Sequence, residues 1–91
     1  MYQVEPMPRF EEAITSLREN YPRIDAPIAS VKKLLALRAG DAFPAVIGKD
    51  GWKVFKITAG PGVPSMNVFF IVDDENQCVR LMRVDVCATE E

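Results

Sequence analysis

Three stretches, Trp52-Lys-Val-Phe-Lys-Ile-Thr58, Met66-Asn-Val-Phe-Phe-Ile-Val72 and Val79-Arg-Leu-Met-Arg-Val-Asp-Val86, follow one another in the second half of the chain. Each is rich in β-branched and aromatic residues and bounded by turn-forming ones, which predicts three consecutive β-strands. In the first, Phe55 and Ile57 share one face, and Trp52, Val54 and Lys56 share the other. The second is apolar everywhere except Asn67, the pattern of a central strand covered on both sides. Between these two lies Ala59-Gly-Pro-Gly-Val-Pro-Ser65, a loop by composition. Asp73-Asp-Glu-Asn-Gln77 reads as the polar turn before the third. Upstream, Phe43 to Ile47 predicts one more strand, joined to Trp52 by Gly48-Lys-Asp-Gly51 with its hairpin-favouring Asp-Gly pair.

The first half has the helical period instead. Tyr2 and Val4 alternate with Gln3 and Glu5 as in a short strand, which Pro6 and Pro8 end. Phe10, Ala13, Ile14, Leu17 and Tyr21 then form one apolar stripe. Pro8 suits the first turn of that helix, and Glu11 and Glu12 favour its positive end. Tyr21-Pro22 closes it. Asp25 is the expected N-cap of a second helix, with Pro27 in its first turn and Gly40 as its stop. Ile28, Val31, Leu34 and Leu35 form its buried stripe, which Leu37 widens. The expected fold is α+β, a small antiparallel sheet with two N-terminal helices in the order β-α-α-β-β-β-β. Residues 1–91 read as a single domain, with Ala88 to Glu91 as a frayed tail.

Composition narrows the function classes. The chain has 91 residues, and 48% hydrophobic with 26% charged residues is ordinary for a globular domain. No apolar run is long enough for a membrane span. The N-terminus has no basic segment leading into an apolar one, so a cytoplasmic location without membrane partners is the expectation. Cys78 and Cys87 are the only cysteines and histidine is absent, so free thiols are expected. A net charge of −2 provides no general attraction to nucleic acid.

Few constellations suggest chemistry. Ser16, Ser30 and Ser65 lack a histidine base. No metal site or cofactor is expected: the ligand types for zinc are missing, and Asp73-Asp74-Glu75 lacks the alternation and glycine of a calcium loop. Gly60-Pro-Gly62 leads into a strand rather than a helix, and its proline removes a donor, so it is not a phosphate cradle. The cations Lys49, Lys53, Lys56, Arg80 and Arg83 cluster in the strand region. Strict alternation puts Lys53 opposite to Lys56 and Arg80 opposite to Arg83, which allows Lys56 to join only one of the arginines. Trp52, the only tryptophan, is either a lid on the core rim or an interface anchor.

Taken in order, several motifs resemble the RelE/ParE toxin superfamily, particularly its HigB-like branch. They are Tyr2-x-Val4, Phe10-x3-Ile14-x2-Leu17, Tyr21-Pro22, the helix ending at Gly40, Val54-Phe-Lys-Ile57, Asn67-Val-Phe-Phe-Ile-Val72 and Leu81-Met-x-Val84. The resemblance implies a member of a toxin–antitoxin pair, held by a cognate antitoxin through an extended or helical segment. Family members either cleave mRNA on the ribosome or poison DNA gyrase. Cleavage by 2′-hydroxyl attack needs a base, a proton donor and positive charge near the phosphate. By position, Lys56 matches a basic residue of the family cluster. Thr58 and Asn67 stand where basic residues are common, and Asp85, Val86 and Cys87 stand where one often ends the last strand. These departures weigh against efficient ribonuclease action.

The expectation is therefore a toxin-like, partner-binding protein. Trp52, Lys53, Lys56 and Arg83 are its candidate partner-binding residues. Two alternatives stand beside it. One is a ribosome-dependent mRNA endoribonuclease with an altered cluster of Lys56, Arg80 and Arg83. The other is a non-toxic interaction domain that forms homo-oligomers through an exposed sheet edge.

Overall fold

Two helices lie against one face of a four-stranded mixed sheet in the computed structural model, which describes residues 1–40 and 43–87. The elements are β1 (Gln3–Pro6), α1 (Pro8–Asn20), α2 (Asp25–Arg38), β2 (Trp52–Ile57), β3 (Met66–Asp73) and β4 (Cys78–Val86). The strand order is β1-β4-β3-β2. β2, β3 and β4 are antiparallel neighbours, while β1 runs parallel to β4. The expected α+β fold and element order are present. The antiparallel sheet gains a parallel edge because the α1–α2 crossover returns the chain to the far side of the sheet before β2 begins.

The fourth later strand is reduced. Residues 43–47 run beside β2 but make only one bridge, Ala45 with Lys53. Pro44 has no N–H to extend the ladder, and Ile47 is fully exposed. The following connection is two successive turns, Lys49 N–H to Val46 C=O at 3.3 Å and Trp52 N–H to Lys49 C=O at 3.2 Å, with Gly48 and Gly51 at φ of 83° and 79°. Asp50 has no positive φ, so the Asp-Gly pair does not form the expected two-residue hairpin turn. The other loop contains a tight turn in which Val63 N–H donates to Gly60 C=O at 3.0 Å. Pro61 and Gly62, the latter at φ 74°, occupy its two central positions, as a type II turn requires. The tail 88–91 lies outside the described residues.

α1 begins at Pro8 and ends before Tyr21-Pro22, as its proline positions dictate. α2 differs from expectation at both ends. Its N-cap is Ile24, and Asp25 lies inside the helix, where its carboxylate accepts two hydrogen bonds from Arg18 at 2.7 and 3.0 Å. That contact ties the end of α1 to the start of α2. Gly40 follows Ala39, a helical C-cap, and has no positive φ. Leu37 is exposed and does not widen the stripe.

The core lies between helices and sheet. Phe10 and Ile14 of α1, and Ile28, Val31 and Leu35 of α2, meet Met66, Val68 and Phe70 of β3 and Val79, Leu81 and Val84 of β4. Ile24, in the turn between the helices, is completely buried. Phe43 adds edge-on ring contacts with Phe55 and Phe70, at centroid distances of 6.0 and 5.3 Å. No helix among the described residues is long and apolar enough to cross a membrane.

Candidate functional site

The second face of the sheet is uncovered by any described element, and the candidate site lies there. β3 alternates: Met66, Val68 and Phe70 are buried, while Asn67, Phe69 and Ile71 are half-buried. The uniformly apolar text of this strand therefore does not mean cover on both sides. Phe69 and Ile71 sit instead at the middle of an open face, beside Trp52 and Val54 of β2. Trp52 lies 6.3 Å from Phe69 between ring centroids, and the Lys49 ammonium stands 4.7 Å above its indole. It is a part of this open face, not a lid on the core.

A β-bulge determines which cations join it. Phe70 pairs with Leu81, yet Phe69 pairs with Arg83, so Met82 is an extra residue in β4. Arg80 faces Ile71 and Arg83 faces Phe69. Ile71 and Phe69 are two apart and share a face, and so do the two arginines. Strict alternation had separated them; the extra residue overturns that. Lys56 is on the same face, opposite Asn67, with its Cα roughly 12 Å from that of Arg83 across two strand spacings. Lys53 opposes Phe70, on the helix-covered side, and is not brought together with Trp52, Lys56 or Arg83.

Carboxylates on this face balance the arginines. Arg80 Nη2 lies 3.4 Å from an Asp73 oxygen, and its Nε 3.9 Å from Glu5. Arg83 Nε donates to Asp85 at 3.0 Å. Lys56 has no ion pair among the described residues. The Asn76 side chain and backbone donate to Asp73 and hold its carboxyl below the ordinary range, with Arg80 adding to the effect. Lys56, Asn67 and Asp85 stand opposite one another in one cross-strand row. That row presents one cation, one amide and one carboxylate.

Cys78 is buried next to Glu5, and burial, then the Glu5 charge, pushes its thiol pKa up. It is a poor nucleophile. Among the described residues no three acidic or thiol side chains converge as metal ligands. Two members of the acidic run have structural partners: Asp73 caps its own turn through Asn76, and Asp74 accepts a hydrogen bond from the Tyr2 hydroxyl at 2.5 Å.

Both sheet edges are blunted. Outside β1, Tyr2 N–H donates to Ala36 C=O of α2 at 2.7 Å, and Pro6 has no N–H. Outside β2, Val46 N–H donates to Trp52 C=O and Pro44 C=O accepts from Val54, each at 3.0 Å. Little open ladder remains for strand addition, which leaves the face as the larger accessible surface.

Sequence reasoning missed the bulge and the pairing of the arginines with Glu5, Asp73 and Asp85. One signal for the bulge was present: Leu81 and Val84 are apolar and three apart, a spacing that regular alternation cannot place on one face. No protein-family model matches the chain, and no curated protein matches it in sequence.

Proposed function

We propose that this chain is a toxin-like partner protein of the RelE/ParE type, which acts by binding macromolecules through the open face of its sheet. A cytoplasmic toxin–antitoxin pair is the setting, with the antitoxin as the primary partner. One observation carries the proposal: the open face joins half-buried Trp52, Val54, Phe69, Ile71 and Met82 to a rim of cations and carboxylates. An apolar centre within a polar rim is the anatomy of a protein interface. The order of motifs along the chain supports the family assignment, and the ribosome and DNA gyrase are the two target classes that it supplies.

The test is expression of the chain with and without the small protein encoded beside it. Growth arrest in isolation, relief by the neighbour and co-purification of the two are expected. Phe69→Asp should abolish the complex while the core remains folded. Unaffected growth together with no co-purifying neighbour would sink the proposal.

A second reading is favoured by the bulge alone, which gathers Lys56, Arg80 and Arg83 on one face. Those three could contact an RNA phosphate in a ribosome-dependent endoribonuclease. The ion pairs with Asp73, Glu5 and Asp85 already engage both arginines and lower their pull on a phosphate. Ribosome-dependent mRNA cleavage lost in Lys56→Ala would establish this reading; intact mRNA at excess protein would remove it.

A further inference from the structure

One cleft on the molecule combines an apolar floor with a rim of a single charge sign. It has a volume of about 410 Å³ and lies between the first residues of α1, the bulge of β4 and the start of β2. Met7, Pro8, Trp52 and Met82 form its apolar lining, and Arg9, Lys49 and Arg83 are its charged residues. Three cations and no carboxylate line this cleft, in a chain whose net charge is −2. Arg9 has no ion pair among the described residues, and Arg83 uses only its Nε on Asp85. The wall also contains the opening residues of α1, whose first turn carries the positive end of the helix dipole and no side-chain cap.

We infer that this cleft binds an acidic, apolar segment of a partner polypeptide. A leucine-like or aromatic side chain sits against Trp52 and Met82, and flanking carboxylates sit on Arg9, Lys49 and Arg83. The floor removes apolar surface from water, which is a main driving force of association. The rim supplies charge-assisted hydrogen bonds, which are stronger than neutral ones. A linear partner fits better than a small molecule, because the cleft is not closed. It shares Arg9 and Arg83 with a second groove, which runs between α1 and β4 past Glu12 and Asp85. That continuation has mixed charge. A peptide can alternate its own charges to match it, whereas a nucleic acid would carry phosphates past both carboxylates.

The inference rests on the open face being a partner surface and does not depend on toxicity. Its test uses random dodecapeptides displayed on phage, selected on the immobilised full chain and counter-selected on the R9E/K49E/R83E variant. Trp52 is the only tryptophan, so tryptophan-free synthetic copies of the selected peptides can be titrated directly by its emission. The expected result is enrichment of net-negative peptides with interspersed leucine or phenylalanine. These should shift Trp52 emission and bind at least tenfold more weakly to R9E and to K49E. Circular dichroism and urea midpoints of those exposed-site variants should match the parent. Neutral or basic selected peptides, no enrichment over the counter-selected variant, or unchanged affinity in R9E and K49E would each overturn the inference. A single-stranded RNA that shifts Trp52 emission at lower concentration than the peptides would also overturn it and assign the cleft to nucleic acid. The outcomes separate from those of the toxin proposal. Acidic peptides selected without growth arrest or a co-purifying neighbour keep the cleft and lose the toxin. A neighbour complex unaffected by R9E and K49E keeps the toxin and loses the cleft.

Discussion

The two faces of the sheet use similar residues in different ways. On the covered face, Met66, Val68, Phe70, Val79 and Leu81 are completely buried, and no buried residue is polar or charged among those described. On the open face, Trp52, Val54, Phe69, Ile71 and Met82 are half-buried among Lys49, Lys56, Arg80, Arg83, Glu5, Asp73 and Asp85. Adjacent residues of one strand, Phe69 and Phe70, belong to different surfaces. The contrast teaches that hydrophobicity along a strand does not separate core from interface. At the centre of the sheet the company of charge does, because ions are costly to bury unpaired; the cation on the covered face, Lys53, lies on the edge strand β2.

The sharpest way to break this comparison is at the neighbouring phenylalanines. Phe70→Ala should cost about 3–5 kcal/mol, the range for a fully buried aromatic. Phe69→Ala should cost about 1 kcal/mol or less, because its ring is only partly removed from water. Urea denaturation of both variants measures the difference, and equal costs would mean that the second face is also core.

A smaller effect sharpens the geometry. Deleting Met82 removes the extra residue of the bulge and leaves Arg83 opposite Phe69 and Leu81 opposite Phe70. The variant should fold with a loss of about 1 kcal/mol. Deleting Val68 instead, a fully buried residue in regular pairing with Phe55 and Val84, shifts part of β3 by one residue and turns its side chains to the wrong face. It should prevent folding or cost several times more. Comparable urea midpoints for the two deletions would argue against a bulge at Met82.

Smaller again is a difference in thiol reactivity. Cys78 is buried with its pKa pushed up, whereas Cys87 is half-buried beyond the end of β4. With a thiol-reactive chromophore at neutral pH, one thiol should react quickly and the other only on unfolding, and Cys87→Ser should remove the fast phase. Loss of the slow phase instead would place Cys78 at the surface.

The smallest expected effect is in acid. Folded Asp25 is held below its ordinary pKa first by hydrogen bonds from Arg18, and Asp73 by those from Asn76. A depressed carboxylate contributes stability above the unfolded pKa, near 3.9, and that contribution is lost as pH falls through the folded value. Urea midpoints of the D25N/D73N variant should therefore change less than those of the parent between neutral pH and pH values below that range. Asp25 is exposed and Asp73 only half-buried, so the difference should be small. Identical acid profiles would remove these contacts as a source of stability.

Much of the fold was legible in the sequence. Phe10, Ile14 and Leu17 at helical spacing, the prolines at the boundaries of α1, and the alternating text of β2 each express a local rule that the tertiary structure obeys. Elsewhere a local rule met a competitor. Asp25 had the chemistry of a cap, but Arg18 lies within reach and takes its carboxylate. Residues 43–47 had the composition of a strand, but Pro44 limits their ladder. The site was less legible than the fold. Trp52, Lys56 and Arg83 were named as candidates and share the open face, whereas Lys53 lies on the other side. Arg9 and Met82 drew no attention, because nothing in their neighbours marks a cleft formed by residues far apart in the chain.

By itself the sequence determined the elements, their order and the apolar stripe each helix buries, since these follow from periodicity, proline geometry and turn chemistry within a few residues. Only the tertiary structure decided which side of β3 the helices cover. Only it placed Arg80 and Arg83 together and set Met7 to Arg9 beside Trp52. These depend on strand register and on one extra residue in one strand. A single inserted position reverses the facing of everything beyond it, a long-range consequence that local composition does not encode.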